Sequence, residues 1–163
     1  MKVRFAQIED AKIISEINVE TWHEAYRGII HDDILRARKV DDKRINTWAE
    51  IIQAKGRITL VCENDGKILG YLSAGPARDE YGIQNEIYAL YVAPIFQKKG
   101  VGLRLIEKYK KVIKNEHFYL YTLKQNKTAI DFYIKNGGAI YEKYARHITI
   151  AHQELEEVCF VFG

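Results

Sequence analysis

Residues Glu86 to Ala93 (EIYALYVA) carry apolar side chains almost without interruption, and the run stops at Pro94. A strand with one wet face alternates polar and apolar residues, whereas a continuous apolar run reads as a strand buried on both faces. Such a strand needs neighbours in a sheet and cover above and below it. The chain is therefore expected to be a layered protein that mixes helices with a sheet. Pro94 closes the run because proline donates nothing to a ladder.

The remaining segments supply that cover. Lys2 to Ala6 alternates and predicts a short strand. Glu9 and Asp10 put negative charge at a helix start, and Ile14, Ile17, Thr21, Trp22 and Ala25 follow at helical spacing. Ala37 to Asp42 reads as loop, and Ile45, Trp48, Ala49 and Ile52 mark a second amphipathic helix. Ile58 to Glu63 and Lys67 to Ala74 predict a hairpin around Asn64-Asp65-Gly66. Gly102 to Asn115 is a helix whose stripe is Leu105, Ile106, Tyr109, Val112 and Ile113. His117 to Leu123 is a strand, and Thr128 to Lys135 a helix capped by Asn126 and stopped by Gly137-Gly138. Ala139 to Ile150 and Leu155 to Phe162 close the chain as two strands. With 163 residues and no internal repeat, residues 1–163 are expected to form a single domain.

Composition narrows the function classes. Apolar residues at 47% and charged residues at 29% suit a soluble globular protein, while 12% aromatics and 2 prolines argue against disorder. A net charge of +3 is too mild for a nucleic-acid binder that works by bulk charge, and no RNP-type aromatic motif is present. No apolar run reaches the ~18 residues of a membrane span. The MKVRFAQIED start meets charge too soon for a secretory signal, so the cytoplasm is the simplest compartment. Cys62 and Cys159 lie in strand-like runs and read as small buried apolar groups. Without a CxxC or HxxxH cluster, no metal is expected.

The chemistry-bearing motif is Gln97-Lys98-Lys99-Gly100-Val101-Gly102, between the buried strand and the next helix. Glycines let backbone approach a ligand, free N–H groups at a helix start favour an anion, and two lysines add positive charge. The loop suits a pyrophosphate. It is neither a P-loop, lacking GxxxxGK[ST], nor the dinucleotide fingerprint GxGxxG.

Following EIYALYVAP, this loop resembles the Q/R-x-x-G-x-G/A motif of the GNAT N-acetyltransferase superfamily. Asn126 to Tyr133 (NKTAIDFY) is similar to the family's N-x-x-A-x-x-F-Y signature, and the element order matches over essentially the whole chain. The family usually continues to a Gly-Phe pair, where this chain has Gly137-Gly138. The resemblance implies a mixed, mostly antiparallel sheet of six to seven strands with about four helices, splayed into a V between the fourth and fifth strands. Acetyl-CoA would lie in the V as acyl donor. Leu90, Tyr91 and Val92 would pair with its pantetheine arm, Gln97 through Gly102 with Leu103 would wrap the pyrophosphate, and Asn126 would contact the cofactor.

The same resemblance implies direct attack of a primary amine on the thioester. Tyr133 matches the tyrosine that serves as general acid; its alternative is an aromatic packed on the sheet. Glu86 resembles the catalytic glutamate of histone-acetylating members, a base acting directly or through water, or else a strand-end carboxylate. Trp22 and Tyr26 are candidates for the acceptor pocket, with core packing as the other reading of Trp22. The acceptor is expected to be a small-molecule amine rather than a protein, with no nucleic-acid or membrane partner; a homodimer is left open. The rival is a CoA-binding or interaction module without catalysis.

Overall fold

A computed structural model describes residues 1–163. Eight strands form one sheet: β1 (Lys2–Phe5), β2 (Ile58–Asn64), β3 (Lys67–Pro76), β4 (Asn85–Val92), β5 (Phe118–Leu123), β6 (Ala139–Ile140), β7 (Arg146–Ile150) and β8 (Gln153–Phe162). Their order is β1-β2-β3-β4-β5-β8-β6, with β7 also on β8. Every pairing is antiparallel except β4 with β5. Five helices accompany the sheet: α1 (Ala11–Ala25), α2 (Asp32–Ala37), α3 (Asp42–Gln53), α4 (Val101–Val112) and α5 (Lys127–Lys135). None is long and apolar enough to cross a membrane.

The counts exceed the expected six to seven strands and about four helices for local reasons. The six-residue α2 is too short for a helical period to show. Ala139 to Ile150 is not one strand: a helical turn at Glu142–Tyr144 interrupts it. There the Tyr144 ring stacks on Tyr81 with centroids 3.7 Å apart. That contact pulls the chain off β8 between β6 and β7.

Strand alternation sends side chains to two cores. Leu60, Leu72 and Ile87 join Leu105, Ile106 and Tyr109 of α4 in one. Val61 and Tyr71 join Ile14 and Ile17 of α1 and Trp48 of α3 in the other. Trp48 is thus a core residue, set edge-on to Tyr71. Both cysteines are free and buried, and burial pushes the Cys159 thiol up to about 12.

Two junctions position the site. Asn126 Oδ1 accepts the Ala129 N–H at 3.1 Å, so α5 starts where its cap residue stands. At its other end Gly138 has no room for a side chain: a Cβ would lie 2.6 Å from the Phe162 ring and 3.0 Å from the Tyr133 carbonyl. Phe160 and Phe162 of β8 fill this corner. Aromatic bulk thus reaches the junction from β8, although position 138 is glycine.

The expectation of β4 as buried on both faces is corrected. Only Glu86 and Ile87 are buried; Tyr88 to Val92 are half-buried. Ser73 of β3 pairs with Ala89 and Ala74 with Ile87, so Tyr88 is bulged out of register. Pairing with β5 stops after Asn85–Phe118, Glu86–Tyr119 and Ile87–Leu120. Beyond Ile87 the strands part, and apolar residues line a gap rather than a core.

Candidate active site

The gap is a cleft of about 810 Å³, walled by the second half of β4, by β5 and by α5. The last turns of α1 and the loop before α4 complete it. The Ala93 N–H donates to Leu69 on β3 at 2.9 Å, which turns the Val92 carbonyl of the same peptide away from β3. Strand alternation places the N–H and C=O of Leu90 and Val92 on that open edge, while those of Tyr91 face β3. Gln97 Nε2 and Thr21 Oγ1 reach the Val92 carbonyl at 3.1 and 3.4 Å. Gln97 therefore braces the loop against the strand.

After a helical turn at Pro94–Phe96, Lys98 (φ 58°) and Gly100 (φ 81°) are both left-handed, and α4 starts at Val101. The curl brings backbone to the cleft at a helix start, where N–H groups are unsatisfied and the dipole is positive. Lys98, Gly100, Val101 and Gly102 line the cleft. Gly102 is required by crowding, since a Cβ there would lie 2.9 Å from the Phe132 ring. Lys99 turns the other way, over Phe96 and into a separate pocket beside Asp65 and Lys67. Leu103 is exposed and lies outside the cleft lining.

Tyrosines furnish the interior. Tyr26, Tyr91 and Tyr133 line the cleft, as does Asn126. Burial pushes the Tyr133 phenol well above its ordinary range, with Tyr91 adding to it. Burial likewise raises Tyr26, helped by Tyr91 and opposed by Asn126. Trp22 stands one layer behind: its Nε1 donates to Tyr91 Oη at 3.1 Å, and the Arg38 guanidinium lies 3.7 Å over its ring.

Glu86 is placed differently from a carboxylate open to substrate. Its side chain is 1% exposed and forms an ion pair with Arg78. It also accepts from the Arg78 backbone N–H (3.1 Å) and from Tyr119 Oη (3.0 Å). It does not line the cleft.

Tyr121 of β5 does line the cleft, and the sequence reading missed it. Its hydroxyl is 2.6 Å from Tyr81 Oη and 3.2 Å from Asp79 Oδ2. Asp79 also meets Arg146 at 3.3 Å. The available signal was weak: two tyrosines at alternate positions of β5, Tyr119 and Tyr121, which puts two hydroxyls on one face. Away from the cleft, exposed His31, Asp33 and His152 bring ligand atoms within 4.8 Å of one another, but no hydrogen bond orients the rings.

The comparisons agree with this geometry. Residues 17–137 match the model of the acetyltransferase (GNAT) family. An uncharacterised N-acetyltransferase of Bacillus subtilis, YuaI, is 30% identical, with 96% of this chain and 89% of that protein covered. A spermidine N(1)-acetyltransferase of Thermoplasma acidophilum is 24% identical over 84% of this chain and 87% of its own. The crystal structure of PaiA N-acetyltransferase from Thermoplasma acidophilum in complex with coenzyme A superposes with a TM-score of 0.73 at 21% identity, covering 96% of each chain. A cleft between splayed central strands, a glycine loop opening α4 and a family match across both place the chain in the GNAT family, as an N-acetyltransferase.

Proposed function

We propose that the chain transfers acetyl from acetyl-CoA directly to the primary amine of a small molecule. The observation that carries this reading is the open edge of β4 leading into the left-handed loop at the start of α4. An acyl-CoA has the same order of chemistry: amides that pair with a strand edge, then a pyrophosphate that suits a helix start. Leu90 presents its N–H and C=O to the arm and Val92 its N–H, the Val92 carbonyl being held by Gln97 and Thr21, and Lys98, Gly100, Val101 and Gly102 take the pyrophosphate. Asn126 holds the far wall. The match to a relative named for spermidine supports a small amine as acceptor.

In the reaction, the amine lone pair attacks the thioester carbon, and a β4 backbone N–H meets the developing oxyanion. Tyr26, with Trp22 behind it, shapes the acceptor side. Tyr133 donates a hydrogen bond to the departing sulfur. Because burial raises its phenol, Tyr133 stays protonated throughout and stabilises the thiolate as a hydrogen-bond donor without giving up its proton.

Gly100→Glu tests the cradle. Open space surrounds a Cβ at Gly100, so the carboxylate would stand at the cleft mouth and repel pyrophosphate. Calorimetric acetyl-CoA affinity is expected to fall at least ~100-fold, in line with the cost of an unpaired charge in a desolvated site. Gly100→Ala isolates the backbone strain and should cost far less. Unchanged affinity in the Glu variant overturns the cradle. Thiol release from acetyl-CoA across a panel of polyamines, amino acids and simple amines tests transfer, and binding without release would favour the non-catalytic module.

A further inference from the structure

We infer that Tyr121 and Asp79 form the path by which the attacking amine sheds its proton. The inference rests on the acetyl-transfer reading above and deepens it. With Glu86 sealed against Arg78 and Tyr119, the member of this hydrogen-bonded network whose side chain lines the cleft is Tyr121. Tyr121 Oη donates to Asp79 Oδ2 at 3.2 Å. Tyr81 Oη, 2.6 Å away, donates to Tyr121, because Asp79 is the acceptor that orients the run of hydroxyls. One lone pair of the Tyr121 oxygen stays free for an N–H in the cleft. Asp79 is 29% exposed, so the far end of the path opens to water.

The network fixes this direction. Arg146 lies 3.6 Å over the Tyr121 ring and ion-pairs with Asp79 at 3.3 Å and with Glu157 at 2.7 Å. The titratable and charged groups that face the pair are Tyr81 and Arg78 from its own loop, Glu86 from β4, Tyr119 from β5, Arg146 from β7, and Glu157 and Cys159 from β8. Tyr119 Oη accepts the Arg78 and Asp79 backbone N–H groups and donates to Glu86. Glu86 is thus a positioning residue: it anchors the loop that carries Asp79.

The nitrogen lone pair forms the C–N bond, and the carbonyl π pair moves to oxygen. The nitrogen, now cationic and acidic, passes a proton to Tyr121 Oη as the tyrosine's own proton passes to Asp79. The oxyanion collapses and expels the CoA thiolate, Tyr133 donating a hydrogen bond to it. Water supplies the thiol proton and takes the one on Asp79. Burial holds the Tyr121 phenol far up, so it stores neither a deficit nor an excess of charge, and the two hops are concerted.

The test uses the full chain and whichever panel amine the wild type acetylates fastest. Tyr121→Phe and Asp79→Asn should each lower kcat/KM ~10²-fold, with acetyl-CoA affinity within a factor of two. The wild-type proton inventory in mixed H2O and D2O should curve, as for two protons in flight, and become linear in Tyr121→Phe. Asp79→Asn replaces the accepting carboxylate with an amide that cannot take the proton, so the loss should appear in kcat rather than in acetyl-CoA affinity. The double variant should lose no more than either single one, as for groups on one path. Full activity in Tyr121→Phe with an unchanged inventory overturns the relay. So do fully additive losses, which would mean two separate roles. No acetylation of any amine by the wild type overturns the acetyl-transfer reading and the relay together, whereas an active wild type with an indifferent Tyr121 overturns the relay alone.

Discussion

Tyr133 shows how one side chain serves packing and chemistry at once. Its ring packs among Phe132, Phe160 and Phe162, while its edge lines the cleft. Tyr133→Phe keeps the ring and deletes the hydroxyl. The expected result is a kcat loss of ~10²-fold with acetyl-CoA affinity and melting temperature nearly unchanged, the signature of an interaction made in the transition state. A large fall in melting temperature with normal kcat would make it a packing residue only. Because burial raises the phenol, the sign of its pH effect is set: Tyr133 stays protonated up to and beyond its ordinary ~10, so it adds no alkaline limb below that pH. At this scale Gly100 and Asn126 were legible, since a loop glycine before a helix and a helix cap follow from residue type and spacing, whereas the crowding of Phe132 on Gly102 is tertiary and was not. Glu86 was legible as a special carboxylate but not as a sealed one. Its partners Arg78 and Tyr119 lie 8 and 33 residues away in sequence, and only the fold unites them.

Elements are fixed by how closely they approach. The α5–β8 corner closes because Gly138 lets the Phe160 and Phe162 rings sit where a side chain would project. Gly138→Ala is therefore expected to destabilise by about 1–3 kcal/mol through overpacking, read as a lower denaturation midpoint with an unchanged m-value. An unchanged midpoint would mean the corner relaxes freely. The periodicities of α1, α3, α4 and the β2–β3 hairpin were readable because each buries one face over several turns or pairs. The break between β6 and β7 was not, because the stacking of Tyr144 on Tyr81 that causes it is tertiary. The apolar run of β4 was read as doubly buried. Its second half instead borders the cleft, and a ligand-lining wall and a core strand have the same composition.

On the scale of the whole molecule, the cleft nearly divides the sheet. β1 to β4 with α1, α3 and α4 form one side, β5 to β8 with α5 the other, and three register pairs join the central strands. Glu86, bonded to Tyr119 across that seam, reinforces the join. A ligand that pairs with Leu90 and Val92 on one side and touches Asn126 and Tyr133 on the other would act as a missing rung. Binding to the folded state alone adds RT ln(1 + [L]/Kd) to stability, about 2.7 kcal/mol at a hundredfold excess over Kd. Acetyl-CoA at that excess is therefore expected to raise the melting temperature by several degrees. The distribution of the effect is the sharper test. In hydrogen exchange, amides of β5 and α5 should slow along with those of β4 and the α4 loop, because bridging suppresses the separate opening of the two sides. Slowing confined to the loop before α4 would mean that the ligand sits on the pyrophosphate cradle without spanning the splay. A thermal shift lost in Gly100→Glu but kept in Tyr133→Phe would assign the stabilisation to cofactor binding rather than to the reacting groups.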